Sequence, residues 1–207
     1  MSAGAVLRSF AAPGGASNGI TWDGRTLWVG DETDLRVYQV DALTGAVRRS
    51  VAPPVADLFT VAWDGRCLWV DDFATDIISQ IHPLTGAILR SFAAPANAEV
   101  ALAWDGSTLW LYDRTTGRIY QLHARTGAVL RSFAAPASSG NGLAWDGGAL
   151  WFVSNNTDLI YQLDPHTGAV LRSFAAPSHA TKGLTWDGRA LWTVDSTTDL
   201  IYQLAVA

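Results

Sequence analysis

From residue 142 the chain alternates large and small side chains, Gly142-Leu143-Ala144-Trp145-Asp146, breaks at Gly147-Gly148, and resumes as the aromatic-rich run Ala149-Leu150-Trp151-Phe152-Val153. Short alternating runs of β-branched and aromatic residues on either side of a glycine turn predict two paired strands. The polar cluster Ser154-Asn155-Asn156-Thr157-Asp158 turns the chain again, and Leu159-Ile160-Tyr161-Gln162-Leu163 predicts a third strand. A second turn, Asp164-Pro165-His166-Thr167-Gly168, leads into a fourth strand, Ala169 to Phe174, which Pro177 stops. No segment shows a helical period. The unit is a four-stranded antiparallel meander.

That unit is copied along the chain. Trp22, Trp63, Trp104, Trp145 and Trp186 each open a Trp-Asp-Gly at a constant spacing of 41 residues, and a second tryptophan follows six residues later at Trp28, Trp69, Trp110, Trp151 and Trp192. These positions use all ten tryptophans. A fixed period of this length marks a repeat architecture, and radial repetition of small antiparallel sheets is a β-propeller. The expected fold is all-β, a five-bladed β-propeller with four antiparallel strands per blade, A to D from the channel outward, occupying residues 1–207 as one domain. The chain starts with a lone fourth strand, Gly4 to Pro13, and ends on a third, Leu200 to Leu204. The two incomplete ends complement each other, so the N-terminal strand is expected to complete the last blade and to cover an otherwise open sheet edge.

Comparison of copies within the chain shows where they differ. Residues 127–163 and 168–204 are identical at 26 of 37 positions, and the differences gather in Ser178 to Lys182 and Asp195 to Thr197. These are the D–A connection and the B–C turn. In a meander both emerge on one face of the ring, whereas the Trp-Asp-Gly and Thr-Gly turns lie on the other. Variation concentrates on a single face.

Composition narrows the function classes. With 49% hydrophobic residues the chain can bury a large core, and a net charge of −5 without basic runs offers no footprint for nucleic acid or an anionic membrane. No segment has the length of a membrane span. Cys67 is the only cysteine, which suits a cytoplasmic protein, with secretion left open should a leader have been removed. A monomer is expected.

Radial geometry disposes of several tempting clusters. Strands lie about 4.8 Å apart, so fivefold neighbours are about 8 Å apart on strand A but about 20 Å apart on strand C. Asp41, His82, His123 and Asp164 form one column at the end of strand C and cannot share an ion at that spacing. They read as turn residues, and neither a metal nor a cofactor is expected. Asp31, Asp72, Asp113 and Asp195 end strand B and read as caps of the B–C turns. The tryptophans read as packing between neighbouring blades. Arg8, Arg49, Arg90, Arg131 and Arg172, on strand D, read as charged guards of an exposed edge.

The mouth of the channel on the variable face remains. Asn18, Phe59, Val100, Asn141 and Lys182 form one column leading into strand A, and Ser17, Leu58, Glu99, Gly140 and Thr181 form the column before it. These positions are close enough to touch one ligand. The candidate ligand-binding residues are therefore Asn18, Phe59, Glu99, Asn141 and Lys182.

The pattern Gly-Leu-Thr-Trp-Asp-Gly-x-x-Leu-Trp followed by Ile-Tyr-Gln-Leu-Asp-Pro-x-Thr-Gly resembles bacterial propellers of the YncE, NHL and glutaminyl-cyclotransferase-like group. WD40 propellers share the period, but their Gly-His dipeptide is absent. The resemblance covers the full chain as a blade signature. It implies that an enzyme on such blades is conceivable, with Glu99 and Lys182 the only mouth residues suited to acid–base work. Those two stand on non-adjacent blades without an inserted loop to position them, so no active site is carried over. Three readings follow: a non-enzymatic binding or scaffold propeller taking a protein, peptide or glycan at the mouth; a small lyase or cyclotransferase-like enzyme; and an engineered or recently amplified propeller without a ligand.

Overall fold

The computed structural model describes residues 2–97 and 99–207, and at Glu99 the backbone only. It contains 20 strands in five four-stranded antiparallel sheets. After β1 (Val6–Ala11), the first blade holds β2 (Ser17–Trp22), β3 (Leu27–Asp31), β4 (Arg36–Val40) and β5 (Val47–Val51). The second holds β6 (Val61–Trp63), β7 (Leu68–Asp72), β8 (Ile77–Ile81) and β9 (Ile88–Ala93), and the third β10 (Glu99–Trp104), β11 (Thr108–Asp113), β12 (Arg118–His123) and β13 (Val129–Ala134). The fourth is β14 (Gly140–Trp145), β15 (Leu150–Ser154), β16 (Leu159–Leu163) and β17 (Val170–Ala175). The fifth is β18 (Thr181–Trp186), β19 (Leu191–Asp195) and β20 (Leu200–Leu204), completed by β1.

Inner strands touch in the order β2, β6, β10, β14, β18 and back to β2, which closes the ring. The protein is a five-bladed β-propeller. Among the described residues there is no helix long and apolar enough to cross a membrane.

Burial follows radius. Every residue of β3, β7, β15 and β19 is buried, because a B strand is covered on both faces by neighbouring blades. The outer D strands leave Ile88, Leu89, Val170 and Leu171 exposed, each with an arginine beside it. At the axis the backbones themselves are packed together. A Cβ on Gly142 would lie 2.7 Å from the carbonyl carbon of Gly183 and 2.7 Å from the Leu184 nitrogen, so only glycine lets β14 approach β18 this closely.

The tryptophans divide into two sets. Trp28, Trp69, Trp110, Trp151 and Trp192 are almost wholly buried, as expected of inter-blade packing. Trp22, Trp63, Trp104, Trp145 and Trp186 are only half-buried, because they sit at the ends of the inner strands and line a cavity of about 80 Å³ at the axis. Each packs on the second tryptophan of the preceding blade, and the Trp28 and Trp63 rings are stacked at 6.3 Å and 8°.

Candidate functional site

Each Trp-Asp-Gly carboxylate does more than cap its turn. Asp105 accepts hydrogen bonds from the Ser107 and Thr108 nitrogens at 2.9 and 2.7 Å, from the Thr108 hydroxyl, from Trp110 Nε1 at 2.9 Å and from Gln121 Nε2 at 3.3 Å. The carboxylate thus joins the A–B turn to an inter-blade tryptophan and to strand C. The same trio recurs as Asp146 with Trp151 and Gln162, and as Asp187 with Trp192 and Gln203. Burial alone would raise the carboxyls of Asp23 and Asp105, but the donated hydrogen bonds outweigh it and hold both below the usual range. The repeated Trp-Asp-Gly carboxylate thus has a structural role in each of these blades.

The columns set aside on radial grounds are also engaged in turns. Asp41 and Asp164 accept backbone N–H groups of their own C–D turns, and His82 and His123 do so through Nδ1. Asp31, Asp113 and Asp195 cap the B–C turns. Asp31 and Asp72 also accept the Ala16 and Asp57 nitrogens, which fastens the D–A connections to them. Among the described residues no three His, Cys, Asp or Glu side chains gather to hold a metal ion. Two edge arginines reach beyond guard duty, since Arg8 and Arg172 donate to the Ala42 and Val206 carbonyls of the next blade.

At the opposite mouth, bulges aim the inner-strand side chains. Asn18 and Asn141 are the extra residues of bulges in β2 and β14, whereas in β18 the bulge falls one residue later and Lys182 remains paired with Val194. β6 stops short of this level. In place of a strand ladder, Asp71 Oδ1 accepts the Phe59 and Thr60 nitrogens at 3.2 and 2.7 Å.

The outcome is an asymmetric cluster to which all five blades contribute. Lys182 Nζ stands 5.2 Å from the centroid of the Phe59 ring, reaching from the fifth blade to the second across the mouth. Asn18 donates to Glu32 Oε2 at 2.5 Å, and Arg114 Nη2 donates to Asn141 Oδ1 at 3.2 Å. Of the five residues expected at the mouth, the structure brings Phe59 and Lys182 into contact and places Asn18 and Asn141, both buried, within the same level. The Glu99 side chain lies outside the described residues.

Burial lowers the Lys182 ammonium from its ordinary value, and Arg114 lowers it further, while Glu32 acts in the opposite direction. The Lys182 carbonyl accepts from Thr193 Oγ1 at 2.5 Å, and among the described residues its ammonium has the Phe59 ring as its neighbour, with neither an ion pair nor a hydrogen bond.

Arg114 and Glu32 were missed by reasoning on strand-A columns. They stand at equivalent places in the B–C turns, in the column Glu32, Phe73, Arg114, Asn155 and Ser196. Five different residues in five copies is the signal that could have found them.

Two grooves of about 390 and 420 Å³ lie on the other face, along the A–B and C–D turns. The larger, lined by Arg8, Arg25 and Arg48, spans the seam between the fifth and first blades. Arg48 is paired with Asp41 there.

No family model matches the chain, and no curated protein matches it. Solved structures do. The glutaminyl cyclase of Myxococcus xanthus superposes with a TM-score of 0.81 at 13% identity, over 98% of this chain and 97% of that one. The likeness is one of fold. Virginiamycin B lyase from Staphylococcus aureus gives 0.59 at 18% identity, over 96% and 69% of the two chains. The propeller domain of Cps50 (Swd1) from Myceliophteria thermophila gives 0.62 at 14% identity, over 98% and 99%. Propellers with enzyme names and a propeller of a different kind are thus similar to this chain alike, which leaves function to be argued from the site.

Proposed function

We propose that the protein is a non-enzymatic binding propeller whose ligand, a peptide, glycan or protein segment, seats on the channel mouth formed by the D–A and B–C connections. The observation that carries this reading is Lys182. A half-buried ammonium with three donors, no hydrogen-bond acceptor among the described residues and a second cation nearby is costly to keep, and a ligand carboxylate or hydroxyl group would satisfy it. Phe59 supplies an apolar floor beside it. Asn18 and Asn141 flank it with amide groups, and Glu32 and Arg114 form the rim.

The test is a peptide and glycan array probed with the full chain and with Lys182→Met. Binding that falls at least tenfold in the variant is expected. Binding left intact after every D–A connection is exchanged for one consensus sequence would overturn the reading.

Lys182→Met should at the same time stabilise the fold. The ammonium is only partly withdrawn from water, so the gain is expected at up to about 1 kcal/mol, and about 1 kcal/mol moves Tm by about 2–4 °C in a chain of this size. The sign fixes the pH dependence. A lysine whose folded pKa lies below its unfolded value disfavours folding at neutral pH, and that penalty is relieved as pH rises from the folded pKa towards the unfolded one. The Tm advantage of Lys182→Met should therefore shrink between neutral pH and about pH 10.4, the unperturbed lysine value.

A second reading is favoured by the same lysine. An amine lowered by burial is a candidate general base, which would make the propeller a small lyase or cyclase-like enzyme. Turnover of an N-terminal glutaminyl peptide or of virginiamycin B that vanishes in Lys182→Met would decide for it.

A further inference from the structure

The fifth blade is assembled without a covalent link between its third and fourth strands. Residues 5–13, Ala-Val-Leu-Arg-Ser-Phe-Ala-Ala-Pro, are identical to residues 128–136 and 169–177, and Asp199 to Leu204 repeats Asp158 to Leu163. The β1–β20 ladder pairs Arg8 with Gln203, Ser9 with Tyr202 and Phe10 with Ile201. The β17–β16 ladder pairs Arg172 with Gln162, Ser173 with Tyr161 and Phe174 with Ile160, with its irregularity at the same place.

Even the missing turn is reproduced. Gly4 donates to the Ala205 carbonyl at 2.8 Å and Ala205 to the Ala5 carbonyl at 2.9 Å, matching Gly168 to Asp164 at 2.8 Å and Asp164 to Ala169 at 2.9 Å. Everything that seats a D strand on its C strand is thus present in β20 for a strand arriving from elsewhere. The link from β1 to β2 is also unlike the others. It runs Ala12-Pro13-Gly14-Gly15-Ala16, and no other D–A connection contains adjacent glycines. Gly14, at φ +88°, packs against the Asp31 carboxylate that also holds the Ala16 nitrogen, whereas a Cβ at Gly15 would meet nothing within 4 Å, so the link has a glycine pivot in open space between these two ties.

We propose that the outer edge of β20 is an exchange site whose partner is β1 of a second copy of this chain, giving a reciprocal strand-swapped dimer. Each blade contact is kept on exchange, so the two forms differ chiefly in how the strand is supplied. A short flexible link holds β1 at an effective concentration on the order of millimolar, so the closed monomer dominates at micromolar protein and exchange competes as the concentration approaches that range.

The test refolds together two single-cysteine variants, Ser9→Cys and Tyr202→Cys, each carrying Cys67→Ala. Alanine already stands at the equivalent positions Ala149 and Ala190. Only a strand seated in another molecule can join the two cysteines in register. The control pairs Ser9→Cys with Tyr161→Cys, where the tethered Ser173 strand occupies the same place. Refolding at about 0.5 mM should give a disulfide-linked heterodimer at least tenfold above the control, falling with dilution to about 5 µM. Equal yields, or none from folded chains, would overturn the proposal. If a variant does not fold, light scattering of the unmodified chain refolded at both concentrations decides. A dimer that forms only at the higher one and returns to monomer slowly after dilution supports exchange, whereas a monomer throughout, or a dimer that dissociates within seconds, overturns it.

Discussion

Asp105→Ala should cost about 3–5 kcal/mol of stability, with little change in what binds at the far mouth. Removing the carboxylate strands the Trp110 indole N–H, the Gln121 amide and two turn nitrogens, where each buried unsatisfied group costs about 1–3 kcal/mol, with some relief from water reaching the turn. Chemical denaturation read by tryptophan fluorescence measures the effect. Asp105→Asn should lose less, since the amide oxygen still accepts from the turn.

The same carboxylates set the response to acid. Asp23 and Asp105 are held below their ordinary range in the folded chain, so their contribution is present above the unfolded pKa, about 3.9 for aspartate, and is lost as pH falls below that value through the folded pKa. Tm is expected to be flat from neutral pH to about pH 5 and to fall steeply below about pH 4. Asp105→Ala should flatten part of that fall. A variant whose acid slope equals that of the parent would show that these carboxylates do not control it.

Trp110→Ala is the other change with a large expected effect, about 3–5 kcal/mol, the range for truncating a buried large aromatic. Trp110 is 2% exposed, lies 6.0 Å from the Phe133 ring and joins a core cluster with Leu143 and Leu150 of the next blade. Its loss opens a void between two blades and leaves Asp105 without its indole donor. Calorimetry should show Tm lowered by about 6–20 °C, given about 2–4 °C per kcal/mol. Trp104→Ala, half-buried at the axis, should cost clearly less. Equal losses for the two tryptophans would contradict the division of the ten into a buried and a half-buried set.

The strand plan was legible because each strand carries its own signal. Leu159 to Leu163 was expected as a strand and is one, and Gly142 to Asp146 and Ala149 to Val153 are displaced by only one or two residues from Gly140–Trp145 and Leu150–Ser154. The lone strand Gly4 to Pro13 forms the outer strand of the last blade over Val6–Ala11. β6 was not legible at its true length. It is cut to Val61–Trp63 by the approach through Pro53 and Pro54 and by the buried Asp71, which takes over the nitrogens a ladder would have used.

The candidate site was legible by level but not by composition. That Asn18, Phe59, Asn141 and Lys182 stand at the mouth follows from period and radius. That Lys182 lies over Phe59, and that Arg114 and Glu32 join from the B–C turns, depends on where each bulge falls and how each loop is tied.

From the 41-residue period, the alternation within each copy and the complementary ends, the amino-acid order by itself determined a five-bladed ring with its outer strand borrowed from the N-terminus. Those are matters of local pattern and counting. Only the tertiary structure decided that the Trp-Asp-Gly aspartate ties an indole and a glutamine together, that half the tryptophans line the axis, and that the lysine lies over a phenylalanine of a distant blade. Each of these depends on atoms brought together from different strands or blades, and such distances are set by packing rather than by any pattern along the chain.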